Sequence, residues 1–451
     1  MKDTQYSVAH LDRDAFASAL QKGLGRAFLY VKEYGLDDVD DLVLQACLHN
    51  PAWDPQVEDL RAQWLFDMFR GTKHEERFRS TILGALRRNN QRDLEQLFAI
   101  AREMALHGDD DARAAIGNRA LKLASRASAA DSLGHDEWAE LAGIDGFLDL
   151  ARIYGQRLMA NHKDSPPDWF VVFDSPLGHE VEDALSQAAK QEPALDAYWR
   201  YLQERGAFQP TKHRGSKTRQ KEIRREFRHQ HSLKTILNDA EEGKGKYPGH
   251  YTSFGRHATK RELWKVYSRL LKARDNASRV RLLWVFRRAD LPELDGQLFR
   301  WATGNPVALR RASITALSRC SDPRIHELAK RKVTRRDMLG ADSVALDLFI
   351  NNYESNDARL IAEALASLKP NAQTAHWLAS SIADIAERNR DAALENALLW
   401  AYEHSPCTNC RLKTVTQLDA IGRLTGPLLN ECVYDAIEEI RTLAQRRLAA
   451  A

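Results

Sequence analysis

The sequence predicts an all-α protein, and three observations support this fold class. Apolar residues recur at spacings of three and four along most of the 451 positions, which places them on one face of a helix. Prolines and short polar turns separate these stretches at intervals that suit short helices. From about residue 261 onward, successive helical units begin to resemble one another, which indicates an internal repeat.

The first part of the chain, residues 1–205, is predicted to form an N-terminal arm of successive helices. Its pattern is clearest over 40–69, where an apolar helix meets Pro51 and a second helix follows. Asp54 is expected to cap that second helix, with Pro55 at its first position. Its apolar face would carry Val57, Leu60, Trp64 and Met68.

The next part, residues 206–260, is predicted to be a basic, glycine-containing insert or linker. Six glycines and two prolines interrupt any long helix there. The run from Thr211 to Lys234 holds nine Lys or Arg against two Glu, whereas the whole chain balances 66 basic against 63 acidic residues. Positive charge is therefore concentrated in this one place.

The last part, residues 261–451, is predicted to be a C-terminal arm of repeated helix pairs. Two units share three features: a Trp-Ala pair, a polar residue before Pro, and an Arg five positions after that Pro. The matching residues are Trp301, Pro306 and Arg311 in the first unit, and Trp400, Pro406 and Arg411 in the second. The two arginines are expected to bond across repeats. A final helix over 430–448 would place Cys432, Ala436, Ile440 and Ala444 along one stripe.

These paired helices, with Pro in or after the first and Arg inside the second, resemble HEAT repeats of the armadillo-like class. The sequences that carry the resemblance are NPVALRR, SPCTNCR and YDAIEEIR. The resemblance implies a helical-repeat α-solenoid in two arms, joined by the basic insert. Repeat arrays expose long surfaces suited to protein recognition, so we expect a non-catalytic scaffold that binds one or more proteins.

Composition narrows the setting in which the protein is expected to act. Five cysteines are too few and odd in number for a secreted disulfide framework, so a reducing, cytoplasmic location is expected. The longest apolar runs fall far short of the roughly 20 residues that span a bilayer, so no membrane partner is expected.

Catalytic signatures give no support for an enzyme. The GSKT sequence at 215–218 lacks the remaining glycines of a phosphate-binding loop, and no G-x-S-x-G or H-E-x-x-H is present. We therefore lean towards a protein without catalysis and expect no cofactor. The ten tryptophans fall mostly on apolar stripes and are assigned to the core, among them Trp64, Trp284, Trp377 and Trp400.

Two groups of residues are candidates for binding a metal, although no bound metal is expected. His404, Cys407 and Cys410 lie at three-residue steps, and Cys432 would complete four tetrahedral zinc ligands. A single Cys-x-x-Cys is weak support, and buried structural thiols are the alternative. The second group, Asp109 to Asp111, is interpreted as the capped start of a helix.

The basic insert provides the alternative function, which is sequence-independent nucleic-acid binding through 211–260. Cations would follow a phosphate backbone, and nearby aromatic rings would stack on bases. A connector that leans on acidic surface of the same chain is the competing interpretation. The residues proposed to contact nucleic acid are Lys212, Arg214, Lys217, Arg219, Lys221, Arg224, Arg225, Arg228, Lys234, Tyr247, Tyr251 and Phe254.

Overall fold

The structure is a computed structural model, and it describes residues 10–88, 93–126, 132–167, 178–207, 231–243, 247–334 and 342–450. Helices dominate these ranges and no residue in them forms a β-strand, which confirms the predicted all-α class. Among the same residues, no helix is long and apolar enough to cross a membrane.

The chain divides into two compact units. Unit 1 comprises Met1–Arg214 together with Asn430–Ala451, and unit 2 comprises Gly215–Leu429. The sequence pattern instead placed its boundaries at 205/206 and 260/261. Two differences matter: the described residues of 231–260 lie in unit 2, and the last residues of the chain join unit 1.

Unit 1 is built from short helices that pack on their neighbours in the chain. The longest of the described helices, His135–Ala160, is kinked at Gly143 and packs against Leu94–Leu106, Asp110–Ala124 and Pro193–Glu204. The described helices of this unit are α1 (Arg13–Lys22), α2 (Gly25–Tyr34), α3 (Asp40–Leu48), α4 (Ala62–Phe69), α5 (Glu75–Arg87), α6 (Leu94–Leu106), α7 (Asp110–Ala124), α8 (His135–Ala160), α9 (Gly178–Ala188), α10 (Pro193–Glu204) and, at the C-terminal end of the chain, α23 (Glu438–Ala450).

Unit 2 continues the helical pattern and includes a 3₁₀ segment at Ser343–Phe349 and a shorter one at Ala392–Leu394. A further helix, α22 (Gly426–Cys432), crosses the boundary between the units. The described helices of unit 2 are α11 (Leu233–Glu242), α12 (Gly249–His257), α13 (Lys260–Lys272), α14 (Asn276–Val285), α15 (Gly296–Thr303), α16 (Val307–Leu317), α17 (Pro323–Thr334), α18 (Asp357–Ala366), α19 (Ala372–Asn389), α20 (Glu395–His404) and α21 (Thr408–Ala420).

Helices α14 to α21 of unit 2 form two rows. In the first, which we call the inner row, α14 packs on α16, α16 on the 343–349 segment, that segment on α19, and α19 on α21. In the second, the outer row, α17 packs on α18 and α18 on α20. Because α17 and α20 also pack on members of the inner row, buried apolar residues of the two rows meet. α15 belongs to neither row and packs on α16.

Local sequence signals explain several helix starts. Asp109 caps α7 by accepting a hydrogen bond from the Ala112 backbone N–H, which confirms the interpretation of Asp109 to Asp111 as a helix start. Thr259 and Glu262 form a complete capping box at α13. Such caps satisfy backbone donors that a helix leaves unpaired, so they fix where each helix begins.

Two predicted helix bounds were wrong because hydrogen bonds outside the helix occupy backbone groups at those places. α4 begins at Ala62 rather than at Pro55, since Asp54 and Glu58 hold a turn there through backbone hydrogen bonds. The helix predicted over 430–448 is interrupted between Cys432 and Glu438. In that gap the Ala436 N–H donates to the Gly23 carbonyl, and Tyr434 accepts a hydrogen bond from Trp64.

In the first unit, Arg311 and its neighbour Arg310 both pair with the buried Asp342 carboxylate. Arg310 on α16 is the closer of the two, at 2.6 Å. Arg311 lies 4.0 Å from the same carboxylate and half of its side chain is exposed. In the second unit Arg411 is fully buried.

Candidate functional site

One concave surface of unit 2 is a groove that follows the inner row. It has a volume of about 700 Å³, and its side chains come from α14, α16, the 343–349 segment, α19 and α21, with the turns that follow them. Because one row supplies the whole lining, these side chains can vary without disturbing the core between the rows. Its polar and aromatic lining residues include Trp284, Arg287, Arg288, Arg311, Arg319, Asp347, Trp377, Ser381, Asp384 and Lys413.

The groove carries an excess of positive charge. Five cationic side chains and two carboxylates line it. Arg319 pairs with Asp290, and Lys413 lies 3.7 Å from Asp384. Arg287 and Arg288 are exposed and make no ion pair with any residue that the structure describes. Part of the positive charge is therefore available to an anionic ligand.

Asp347 lines this groove, and its surroundings alter its carboxyl group. Protein encloses most of the carboxyl group while one side faces the groove, and this loss of water raises its pKa to about 6. The Ser381 hydroxyl donates a hydrogen bond to it, which opposes the rise, and nearby Asp384 adds to the rise. The Asp347 carboxyl group is therefore closer to protonation at neutral pH than an exposed aspartate.

Trp377 is an aromatic residue on the groove surface that sequence reasoning assigned to the core. Its spacing on α19 fits the apolar stripe, yet 41% of its surface is exposed. An amphipathic helix has a boundary between its buried and exposed faces, and spacing alone does not say on which side of that boundary a large ring falls. The other tryptophan of the groove, Trp284, is half-buried against Tyr251.

A second cluster brings together two of the four metal candidates with a residue that sequence reasoning missed. Cys407 and Cys410 lie beside His376 of α19, and the three potential ligand atoms all lie within 4.8 Å of one another. The Cys410 Sγ and the His376 Nδ1 are 3.5 Å apart. We call these three residues the Cys-His cluster.

The other two metal candidates lie elsewhere. His404 stacks on Trp400 and its Nδ1 lies 2.9 Å from the Trp400 carbonyl oxygen. Cys432 is fully buried and belongs to unit 1, whereas the Cys-His cluster belongs to unit 2. The four-residue zinc set expected as the strongest candidate is thus not assembled, and His376 takes the place nearest the Cys pair.

Hydrogen bonds fix the two cysteines at the start of α21. Cys407 is the residue that precedes the helix, and the buried Ser405 hydroxyl accepts a hydrogen bond from the Cys407 backbone N–H. The hydrogen bond between the two thiols, supported by His376, lowers the pKa of Cys407 and correspondingly raises the pKa of Cys410. Both thiols are free and buried.

The cationic run proposed to bind nucleic acid lies largely outside the described residues. Of its nine cations only Lys234, which is exposed on α11, falls within them. Residues Lys212, Arg214, Lys217, Arg219, Lys221, Arg224, Arg225 and Arg228 are outside.

The three aromatic residues of the nucleic-acid prediction differ in exposure. Tyr247 is 78% exposed, but Tyr251 and Phe254 are buried on α12, which packs against α14. Buried rings offer no face to a base, so these two residues do not fit the predicted role. They are core residues because their spacing of three directs both towards α14.

An exposed ring beside cations is found instead on α13. Trp264 is 47% exposed and lines a groove of about 520 Å³ between α11 and α13. Arg261, Lys265 and Lys272 line the same groove, and Arg269 pairs there with Glu241. Trp264 lies outside the glycine-containing segment 206–260, so composition did not point to it.

Comparisons with known proteins give no assignment, because no family model, no curated protein and no solved structure matches this chain. The HEAT-repeat resemblance therefore stays a prediction based on the sequence, and functional inference depends on the geometry of the grooves and of the Cys-His cluster.

Proposed function

We propose that this chain is a non-catalytic adaptor whose unit 2 groove binds an extended, acidic segment of a partner protein. The observation that carries the proposal is the continuous lining of this groove by the inner row, with its excess of positive charge. Successive elements each contribute side chains along its length, as expected for an array of helical repeats that recognises an extended chain. The resemblance to HEAT repeats supports the same type of surface.

Charge selects the chemistry of the partner. Arg287, Arg288 and Arg311 line the groove together with Asp347, and Lys413 lies beside Asp384. Carboxylates of a bound segment would meet these cations, which steers association and disfavours basic partners. Because the guanidinium groups of Arg287 and Arg288 are exposed, each contact would be screened by salt and individually weak.

Trp377 would provide the apolar anchor. Tryptophan and arginine are enriched among the residues that dominate binding energy at protein interfaces, and here both line one groove. An acidic segment that also carries a leucine or an aromatic residue therefore suits the site better than a uniformly charged one.

The proposal is tested with synthetic peptides on the full-length protein. A labelled peptide of Asp and Glu interrupted by Leu is compared, by fluorescence anisotropy, with the same peptide carrying Asn and Gln. We expect the acidic peptide to bind more tightly, and Arg287→Glu with Arg311→Glu to weaken it by on the order of tenfold, since about 1.4 kcal/mol is lost over two contacts.

A matched control is Arg359→Glu, because Arg359 lies on α18 of the outer row and its side chain is 89% exposed. Arg359→Glu should leave peptide affinity within twofold of the wild type, about 0.4 kcal/mol. Equal binding of the acidic and amide peptides, or equal effects of the groove and control variants, would contradict the proposal.

The α11 and α13 groove favours a second candidate function, which is sequence-independent binding of single-stranded nucleic acid. Trp264 would stack on a base while Arg261, Lys265 and Lys272 contact phosphates. The other side of this groove is α11, which contains Lys234, the last cation of the basic run. Six phosphate contacts would give a log–log salt slope of about −4 on mixed-sequence single strands. Trp264→Ala should then reduce affinity about tenfold, and replacing Arg224, Arg225 and Arg228 by Glu should flatten the slope.

If the basic run is instead a connector on the acidic surface of the chain, filter binding will show feeble affinity at physiological salt. The triple Glu variant would then be cleaved faster between Phe208 and His257 in limited proteolysis. That outcome would set the nucleic-acid candidate aside and leave the peptide-binding proposal unaffected.

A further inference from the structure

The Cys-His cluster has the geometry of a metal site that is nearly assembled. Zinc takes thiolate ligands at about 2.3 Å and imidazole nitrogen at about 2.0–2.1 Å, so a sulfur and a nitrogen at tetrahedral angles lie about 3.6 Å apart. The distance from Cys410 Sγ to His376 Nδ1 is 3.5 Å. With the Cys407 Sγ also within 4.8 Å of both atoms, small side-chain movements would place all three around one ion.

We propose that Cys407, Cys410 and His376 bind one Zn²⁺ ion. The donor set points to this class of metal, because thiolates and imidazole are ligands of zinc and related soft or borderline ions rather than of magnesium or calcium. Two thiolates and one neutral imidazole also balance the charge of the ion. A neutral complex is the form that a buried site tolerates best, since an unbalanced buried charge is costly.

The backbone holds the ligands in place before any metal arrives. The cysteines are fixed at the start of α21 by the Ser405 turn, and His376 lies 34 positions before Cys410, on α19. α19 and α21 pack directly on each other in the inner row. The ion would therefore join two neighbouring helices of that row, next to the groove residues Trp377 and Lys413.

The coordination shell contributed by this chain would be incomplete. No other His, Cys, Asp or Glu of the described ranges joins the cluster. Cys407 and Cys410 are 4% and 6% exposed, and His376 is partly exposed, so the cluster lies just below the surface. Three protein ligands leave one of zinc's four tetrahedral positions, which water would fill.

The experiment uses the full-length protein, stripped with a chelator and kept fully reduced. Co²⁺ is titrated first, because thiolate-bound tetrahedral cobalt has intense visible absorption, and Zn²⁺ is then added to displace it. We expect one Co²⁺ per chain, complete displacement by one Zn²⁺, and a higher Tm of the zinc-loaded protein, because a ligand that binds only the folded state stabilises it.

Variants identify the ligands. Cys410→Ser and His376→Ala should each weaken zinc binding by at least about 100-fold. That decrease in affinity is larger than the one expected when the substituted residue only hydrogen-bonds to a ligand. Cys432→Ser and His404→Gln are the matched controls, since both residues lie outside the cluster, and they should bind one ion like the wild type.

Because Cys410 is buried, its variant is also checked for folding by circular dichroism without metal, and the partly exposed His376 provides a variant less prone to disturb the core. Absence of the cobalt absorption in the fully reduced wild type, or its loss in the two control variants, would overturn the proposal. A persistent disulfide between Cys407 and Cys410, detected by thiol counting under the same reducing conditions, would also overturn it.

Discussion

The buried ion cluster around Asp342 gives the sharpest test of how unit 2 holds together. Its carboxylate is fully buried and accepts hydrogen bonds from Arg310 on α16 and from Lys332 on α17, at 2.6 and 3.2 Å. The Lys332 side chain is only 3% exposed. Replacing Asp342 by Ala would leave a buried ammonium group without its counter-charge.

The size of the effect follows from burial. Removing one partner of a buried ion pair costs about 3–5 kcal/mol, because the remaining charge has lost both water and its partner. For a unit of this size, about 1 kcal/mol shifts Tm by roughly 2–4 °C, so Asp342→Ala should lower Tm by on the order of 10 °C. Thermal unfolding followed by far-UV circular dichroism measures this shift.

Asp290→Ala is the control, since Asp290 also pairs with an arginine but its side chain is 76% exposed. An exposed pair contributes about 0.2–1 kcal/mol, so this variant should unfold within a few degrees of the wild type. Adding Lys332→Met to Asp342→Ala should recover part of the loss, because the more deeply buried of the two cations that Asp342 pairs with is then gone. Equal Tm values for Asp342→Ala and Asp290→Ala would refute the reasoning.

Two further predictions concern packing and pH. Gly155→Ala should destabilise unit 1 by several kcal/mol, because the new Cβ would lie 1.6 Å from the Ala194 carbonyl oxygen. Gly84→Ala is the control: its new Cβ would have nothing within 4 Å, so it should raise the free energy of unfolding by about 0.5–1 kcal/mol. Chemical denaturation measures both variants, and equal effects would contradict the close approach of α8 and α10. The pKa of Asp347 is raised from 3.8 to about 6, so its contribution to stability is present below pH 4 and lost as pH rises through 6. The free energy of unfolding of Asp347→Asn should therefore exceed that of the wild type by about 1–2 kcal/mol at pH 7.5 and equal it at pH 3.5. A difference between the two proteins that does not change with pH would contradict this.

Features set by neighbours in the chain could be predicted from the sequence. The all-α class, the cap at Asp109 and the helical assignment of most segments depend on spacing and on residues within one turn. The Cys-x-x-Cys pair was also found, because its two members share the start of one helix.

Features that depend on how helices pack were missed. His376 meets the cysteines only because α19 lies against α21, and nothing in the local sequence marks that contact. Arg310 lies closer to Asp342 than Arg311 does, at 2.6 against 4.0 Å, since a difference of one residue turns a side chain about 100° around the helix. The return of Tyr434 and Ala436 to the first helices of unit 1 likewise depends on contacts between distant parts of the chain.

The most direct test of the adaptor proposal is to locate a bound acidic peptide by amide hydrogen exchange on the full-length protein. The proposed function predicts slower exchange in the parts of α14, α16 and α19 that line the groove, with α17, α18 and α20 of the outer row unchanged. Protection of the outer row, or of α11 and α13 alone, would contradict it.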